Sequence, residues 1–362
     1  MLNKRQPSLL SEIDARRICL IKPSALGDVV QTLPLLPVLR ERFPQASISW
    51  VIHRGLAELL DGHPLLDEII CVDRRPSLRS WWQLLSRLKQ AQFDLVFDLQ
   101  GLLRTAVMSA ATRAPLRVGL ETAREGSGVA CHFLLPDSGH LVPAAVRYWR
   151  VAEALGLGRF RRETSVPIRP EEHDWAEQQL GQLSGRVLAV HPGARWVTKR
   201  WPAEKFAVVA AKARRFFSFS TVIVGNRDEV PFAAQVEYSL KRFVPAAPVV
   251  NLAGRTSLRQ LAAILKRADV LLSNDSGPMH LAAGLGTPVV GVFTCTSSRR
   301  SGPPGNRHEL VSTNVACAEC YKKRCPKRGV EHMACLEEIT IERVWQALVR
   351  LMEKQGTVIR AA

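Results

Sequence analysis

A chain of 362 residues, 46% of them hydrophobic, is long enough to bury two sizeable cores, and none of its apolar runs approaches the ~18–20 residues of a membrane-spanning helix. Its formal net charge of +17 calls for anionic partners: nucleic acid, an acidic membrane face or a phosphorylated substrate. The excess is spread over both halves without a long Lys/Arg run, and no recognition-helix or zinc-finger signature is present, which disfavours nucleic acid. The opening Met1-Leu2-Asn3-Lys4-Arg5 leads into a mixed polar stretch rather than an apolar signal core, so export is not expected. Eight cysteines are too few for a disulfide scaffold of this size and are expected to be reduced.

Ile18-Cys19-Leu20-Ile21 reads as a first strand, followed by the loop Lys22-Pro23-Ser24-Ala25-Leu26-Gly27-Asp28. An apolar helix then runs to Arg40, with Pro34 and Pro37 expected to bend or restart it. Strands follow at Ile48 to Ile52, Ile69 to Val72 and Leu95 to Phe97. Helices are expected near Leu56 to Leu60, Trp81 to Ala91, Leu102 to Ala111 and Leu141 to Leu155. Strands alternating with helices predict a parallel α/β sheet, whose ligands gather at the carboxyl ends of the strands. Asp28 stands at such an end, as a carboxylate facing a ligand or, more commonly for such a residue, as the helix N-cap. Arg104 and Arg124 fall in segments expected to face a ligand, although lone arginines more often serve as solvated surface. The Gly, Arg and Pro-rich region from Gly156 to Pro170 has no periodicity and reads as an interdomain linker, giving domains 1–165 and 166–362.

The second half restarts the alternation. Val187 to Val190 is a strand ending in His191-Pro192-Gly193, and the loop Trp196 to Pro202 enters a helix from Ala203 to Phe216. Thr221 to Val224 is a strand followed by Gly225-Asn226-Arg227-Asp228-Glu229, and a helix spans Leu258 to Arg267. Val270-Leu271-Leu272 then feeds Ser273-Asn274-Asp275-Ser276-Gly277-Pro278-Met279-His280. Asp275 or Ser276 suits a helix N-cap, with Pro278 in the first turn. A helix N-terminus after a strand is a ready anion site, and Asp275 suits sugar hydroxyls beside a phosphate. No dinucleotide-type glycine triplet and no Walker A sequence occurs, which argues against a dehydrogenase and a P-loop NTPase. Cys317, Cys320, Cys325 and Cys335 crowd one basic stretch, as a zinc knuckle, as reduced, packed thiols or as a redox-labile loop. The last helix, 341–354, is amphipathic and could pack on either domain.

Four stretches in order, Lys22 to Val29, Asp98 to Leu102, Lys199-Arg200-Trp201-Pro202 and Asp275 to His280, resemble the lipopolysaccharide heptosyltransferases, glycosyltransferases of family 9 that use ADP-heptose. The loop Gly119 to Glu125 is most similar to heptosyltransferase I, whereas the cysteine-rich segment looks more like heptosyltransferase II. The resemblance implies a GT-B fold, two Rossmann-like domains facing across a cleft, with the acceptor on the first and the nucleotide sugar on the second. It further implies inverting transfer of heptose to Kdo of lipid A by single displacement, with neither metal nor cofactor, at the anionic inner face of the cytoplasmic membrane.

Carried over residue by residue, the resemblance makes Asp28 the base that deprotonates the acceptor hydroxyl. Lys199 and the helix start at Ser276, Gly277 and Pro278 become the groups that stabilise departing ADP. Asp275 holds heptose hydroxyls, Glu229 holds the ribose, and His280 either reaches the phosphate or sugar or simply packs. Arg124 and then Arg104 meet the acidic acceptor. The competing readings are heptosyltransferase II or another family 9 enzyme, a binding protein for nucleotide sugar or nucleic acid, and a sugar-nucleotide epimerase.

Overall fold

Short apolar runs flanked by amphipathic helices hide both faces of their strands by forming a parallel sheet covered with helices. In the computed structural model, which describes residues 10–356, the chain does this twice, and it divides between Pro167 and Ile168.

The first unit runs β1 (Arg17–Ile21), α1 (Leu26–Thr32), α2 (Leu35–Arg42), β2 (Ser47–His53), β3 (Glu68–Val72), α3 (Leu78–Gln90), β4 (Leu95–Asp98), α4 (Leu103–Ala111), β5 (Leu116–Leu120), β6 (Phe133–Leu135) and α5 (Ala144–Ala154). The second runs α6 (Pro170–Leu180), β7 (Val187–His191), α7 (Ala203–Phe217), β8 (Ser220–Ile223), α8 (Val230–Phe243), β9 (Val249–Asn251), α9 (Leu258–Arg267), β10 (Val270–Asn274), α10 (Gly277–Gly284), β11 (Val289–Phe293), α11 (Ser298–Ser301), β12 (Glu309–Ser312), α12 (Ala334–Glu338) and α13 (Ile341–Lys354).

The first sheet has the order β3-β2-β1-β4-β5-β6 and the second β12-β11-β10-β7-β8-β9, with every pairing parallel. Counted from its own first strand, each reads 3-2-1-4-5-6, the doubly wound Rossmann order. In such a sheet the connections leave in opposite directions from the first and fourth strands, opening a crevice at their carboxyl ends. Those places are β1 beside β4, with Ile21 opposite Asp98, and β7 beside β10, with His191 opposite Ser273. The fold alone therefore nominates two loci.

Local chemistry sets the element ends. Leu33 and Pro34 break the expected single helix into α1 and α2, since proline cannot donate to the preceding turn. The Ser257 hydroxyl caps α9 through the Gln260 N–H, and Thr340 caps α13 through that of Arg343. The final helix lies against α7, β11 and β12 of its own unit, burying Val344, Leu348, Leu351 and Met352. Truncating a buried leucine such as Leu348 to alanine costs about 2–5 kcal/mol. Among the described residues no helix is long and apolar enough to cross a membrane.

Candidate active site

The second unit builds its locus around the N-terminus of α10. Ser276 is the N-cap by position, yet its side chain makes no capping bond. Its hydroxyl instead lies 3.1 Å from His191 Nδ1 and 3.2 Å from Ser273 Oγ. The first-turn N–H groups have no carbonyl one turn earlier to bond, so with this cap turned aside they and the helix dipole present positive potential. That suits a phosphate.

Asp275 is 5% exposed and carries two contacts on one oxygen. The Lys199 ammonium lies 2.6 Å from Oδ2, and the Thr296 hydroxyl donates to the same atom at 2.6 Å. Lys199 also stands over the Trp196 ring at 4.8 Å. Lys199 thus has a fixed position, held on one side by a buried carboxylate and on another by an aromatic face. Behind it, buried Asn274 donates to Pro192 O at 2.8 Å and accepts the Trp201 N–H at 3.1 Å, locking the β7 and β10 ends together.

Glu229 is brought to the same end of the sheet by the turn after β8. Its Oε2 accepts the Asn226 N–H at 2.8 Å and lies 3.1 Å from His191 Nε2. Burial pushes this carboxyl up, but the hydrogen bond and charge of the His191 ring, the Asn226 N–H and nearby Arg200 together bring it below its ordinary value. An ionised carboxylate can only accept, so His191 Nε2 donates to it, while Nδ1 faces the Ser273 and Ser276 hydroxyls. Ser276, His191 and Glu229 therefore form one chain of hydrogen-bonding groups, of which His191 and Glu229 are buried. Gly193 makes room for it, because a Cβ there would stand 2.2 Å from the Glu229 carboxyl.

The first unit's locus is smaller. Asp28 lies in the first turn of α1, where Ala25 holds the cap position and donates its N–H to Asp28 Oδ2 at 3.2 Å. The Tyr148 hydroxyl, 120 residues on, donates to Oδ1 at 2.6 Å. Tyr148 is buried, and burial first and the Asp28 charge second push its phenol well above its ordinary value, so it stays protonated. Under the Tyr148 ring, 4.7 Å from its centroid, lies the Lys22 ammonium, which donates to Leu99 O at 3.0 Å. Burial lowers the Lys22 pKa against the pull of Asp28 and Asp98. Asp98 closes the turn after β4 by accepting the Gln100 and Gly101 N–H groups, each at 3.0 Å.

The sequence-nominated arginines differ. Arg124 is exposed, with one guanidinium nitrogen 3.2 Å from His140 Nδ1. Arg104 spends its guanidinium on the main-chain carbonyls of Asp73 and Arg74 and lies over the Trp81 ring at 5.5 Å. It knits a loop. His280 is buried in α10, and the His308 pKa is lowered to about 4 by burial, Arg307 and His280.

Among the described residues no group of three or more His, Cys, Asp or Glu side chains is placed to hold a metal ion. Cys317, Cys320, Cys325 and Cys335 are free thiols, the first exposed and the others half-buried, so a zinc knuckle finds no converging ligand set. The functional neighbours that sequence reasoning missed are Tyr148, His191, Trp196 and Thr296. Only His191, at the end of a predicted strand, gave a local signal.

Comparison with known proteins fits this geometry. Residues 81–331 match the family described as glycosyltransferase family 9 (heptosyltransferase). The lipopolysaccharide heptosyltransferase 1 of Pseudomonas aeruginosa is 27% identical, over 87% of this chain and 89% of its own. The lipooligosaccharide heptosyltransferase 2 of Campylobacter jejuni serotype O:2 is 30% identical, over 91% of this chain and 97% of its own. Among solved structures, the ADP-heptose LPS heptosyltransferase II of E. coli superposes with a TM-score of 0.76 at 22% identity, covering 94% of this chain and 100% of that one. The doubly wound pair of sheets is thus the GT-B architecture, and the chain belongs to glycosyltransferase family 9, the heptosyltransferases.

Proposed function

We propose that this heptosyltransferase moves heptose from ADP-heptose to the inner core of lipopolysaccharide, with Kdo of lipid A as acceptor. The observation that carries the donor assignment is Lys199 fixed by Asp275 beside the N-terminus of α10. A leaving diphosphate gathers negative charge as the glycosidic bond breaks. A preplaced ammonium and free first-turn N–H groups stabilise that charge without reorganising at the moment of reaction. Asp275 presents its remaining oxygen to heptose hydroxyls, Glu229 takes the ribose hydroxyls, and His191 holds Glu229 in place. Gly277, with no side chain, lets the diphosphate approach the backbone closely, Pro278 sets the first turn of α10, and His280 reaches the phosphate or sugar.

In the first unit Asp28 is the general base. A sugar hydroxyl is a poor nucleophile until a carboxylate takes its proton, and Tyr148 and the Ala25 N–H fix the direction in which the Asp28 carboxylate presents its lone pairs. Attack by the deprotonated oxygen on the anomeric carbon, with ADP leaving from the opposite side, inverts the configuration there. Arg124 meets the acidic groups of the acceptor. Arg104, tied to its loop, is secondary. The enzyme works at the cytoplasmic face of the inner membrane, where the net charge of +17 favours an anionic lipid surface.

A type II acceptor, already bearing one heptose, is the second reading, favoured by the higher identity to the Campylobacter heptosyltransferase 2. Incubation of the purified protein with ADP-heptose and either Kdo-lipid A or its heptosylated form, scored by product mass, separates the two. Mass gain of one heptose on Kdo-lipid A is expected. Gain only on the heptosylated acceptor moves the assignment to type II, and gain on neither overturns the substrate assignment.

A further inference from the structure

The first unit gathers large exposed apolar side chains on neighbouring elements. Leu78 and Trp82, one turn apart on α3, are 82% and 68% exposed. Leu103 and Val107 repeat that spacing on α4 and are also exposed, as is Val129 in the turn Ser127–Ala130 that packs on α4. These elements are bound to one another. α3 lies against α4, and Arg104 of α4 donates to the carbonyls of Asp73 and Arg74 that lead into α3. The Leu103 N–H donates to Glu125 Oε2 at 3.1 Å, and the Arg124 N–H to Gly101 O at 2.8 Å. Both helices begin at the carboxyl edge of the sheet, the edge that carries Asp28.

Charge distinguishes this patch from ordinary scattered surface apolars. Residues 74–93 hold Arg74, Arg75, Arg79, Arg87 and Lys89 and no acidic residue, and all five are exposed. Of these, Arg87 pairs with Glu68. Asp73, just before this run, pairs with Arg54, and Glu125 accepts the Leu103 N–H at the start of α4. What remains is a tryptophan and aliphatic side chains set among uncompensated arginines. That combination suits a layer whose surface is anionic and whose interior is apolar, with the indole at the boundary between them.

We propose that this face, formed by α3, the start of α4 and the turn at Val129, docks the enzyme on an anionic phospholipid bilayer. Leu78, Trp82 and Val129 enter the headgroup region, and Arg74, Arg75 and Arg79 meet lipid phosphates. Docking there brings the edge that carries Asp28 and Arg124 to the membrane surface. The proposal rests on the reading above for one point, that the acceptor is a lipid. Vesicle binding is measured without donor or acceptor, so the two can fail separately.

The test is co-sedimentation of the full chain with vesicles of phosphatidylethanolamine and phosphatidylglycerol, against vesicles of phosphatidylcholine alone. The wild type is expected to bind the anionic vesicles, less so as salt rises. The pair Leu78→Ser/Trp82→Ser and the pair Arg75→Glu/Arg79→Glu should each weaken binding by about tenfold or more. Tyr238→Ser, an exposed change on α8 of the second unit, should not. If the serine pair lowers the melting temperature, the charge-reversal pair, wholly on the surface, still decides the matter. Turnover of an acceptor embedded in vesicles should fall in both pairs, while that of a deacylated, water-soluble acceptor should not. Unchanged vesicle binding in both pairs overturns the proposal. So does a wild type that ignores anionic vesicles, or a serine pair whose only effect is to abolish self-association or capture of an acidic protein.

Discussion

The two sheets share one strand order but carry opposite charge arrangements at their switch points. In the first unit a cation is buried and an anion is presented: Lys22 lies beneath Tyr148, and Asp28 is held above by the phenol. In the second an anion is buried and a cation is presented: Asp275 sits inside, and Lys199 is held over it beside α10. An identical topology thus supplies the location of each site, while a handful of side chains decides its sign. The first arrangement suits taking a proton, the second stabilising a leaving diphosphate. On the function proposed above, one fold used twice provides both halves of a transfer reaction.

Either half-site can be disabled by one substitution, and loss of Asp28 has the larger expected effect. Asp28→Ala should lower kcat by about 10²–10⁴-fold, the contribution typical of a positioned acid or base, as read by initial rates at saturating substrates. Full activity would remove Asp28 from the chemistry. Lys199→Ala should cost roughly 2–4 kcal/mol of transition-state stabilisation, near 10²–10³-fold in kcat, by comparison with lost charge-stabilising donors elsewhere. An unchanged rate would leave the α10 terminus without its cation.

Tyr148→Phe sharpens the first half-site. The lost hydrogen bond orients the Asp28 carboxylate, so kcat should fall by about tenfold or less with the melting temperature unchanged. A purely structural tyrosine would lower stability and leave kcat in place. The smallest effect concerns stability in the second unit. His308 takes up a proton only near pH 4 in the folded chain, because burial, Arg307 and His280 oppose it, and near 6.5 when unfolded. Between those values the unfolded chain binds more protons, so stability falls as pH falls from about 6.5 towards 4, and this contribution is flat above. His308→Gln should narrow the difference in urea midpoint between pH 7 and pH 5. An identical difference would show that the ring is hydrated.

Much of the fold was legible in the chain because its strands are short, apolar and regularly punctuated. α9 and β10 fall where their apolar periods place them. β6 is three residues long, and the edge strand β12 begins with Glu309, so neither carried a pattern. α8 escaped notice because Pro231 in its first turn reads as a breaker, although proline suits that position. At the sites, Asp28, Lys199, Glu229 and Asp275 stood in motifs a few residues long. Their partners did not. Tyr148 meets Asp28 only because α5 packs on α1, and Thr296 meets Asp275 only because β11 neighbours β10. Arg104 shows the reverse. Its place near a strand end suggested a ligand, and the folded chain spends it on two carbonyls.

The central claim is a division of labour, with the donor held by the second unit and the base carried by the first. Calorimetric titration of ADP-heptose into Asp28→Ala and Glu229→Gln tests it most directly. The donor Kd of Asp28→Ala should equal that of the wild type, and that of Glu229→Gln should be clearly weaker. Donor binding lost in Asp28→Ala and kept in Glu229→Gln would contradict it.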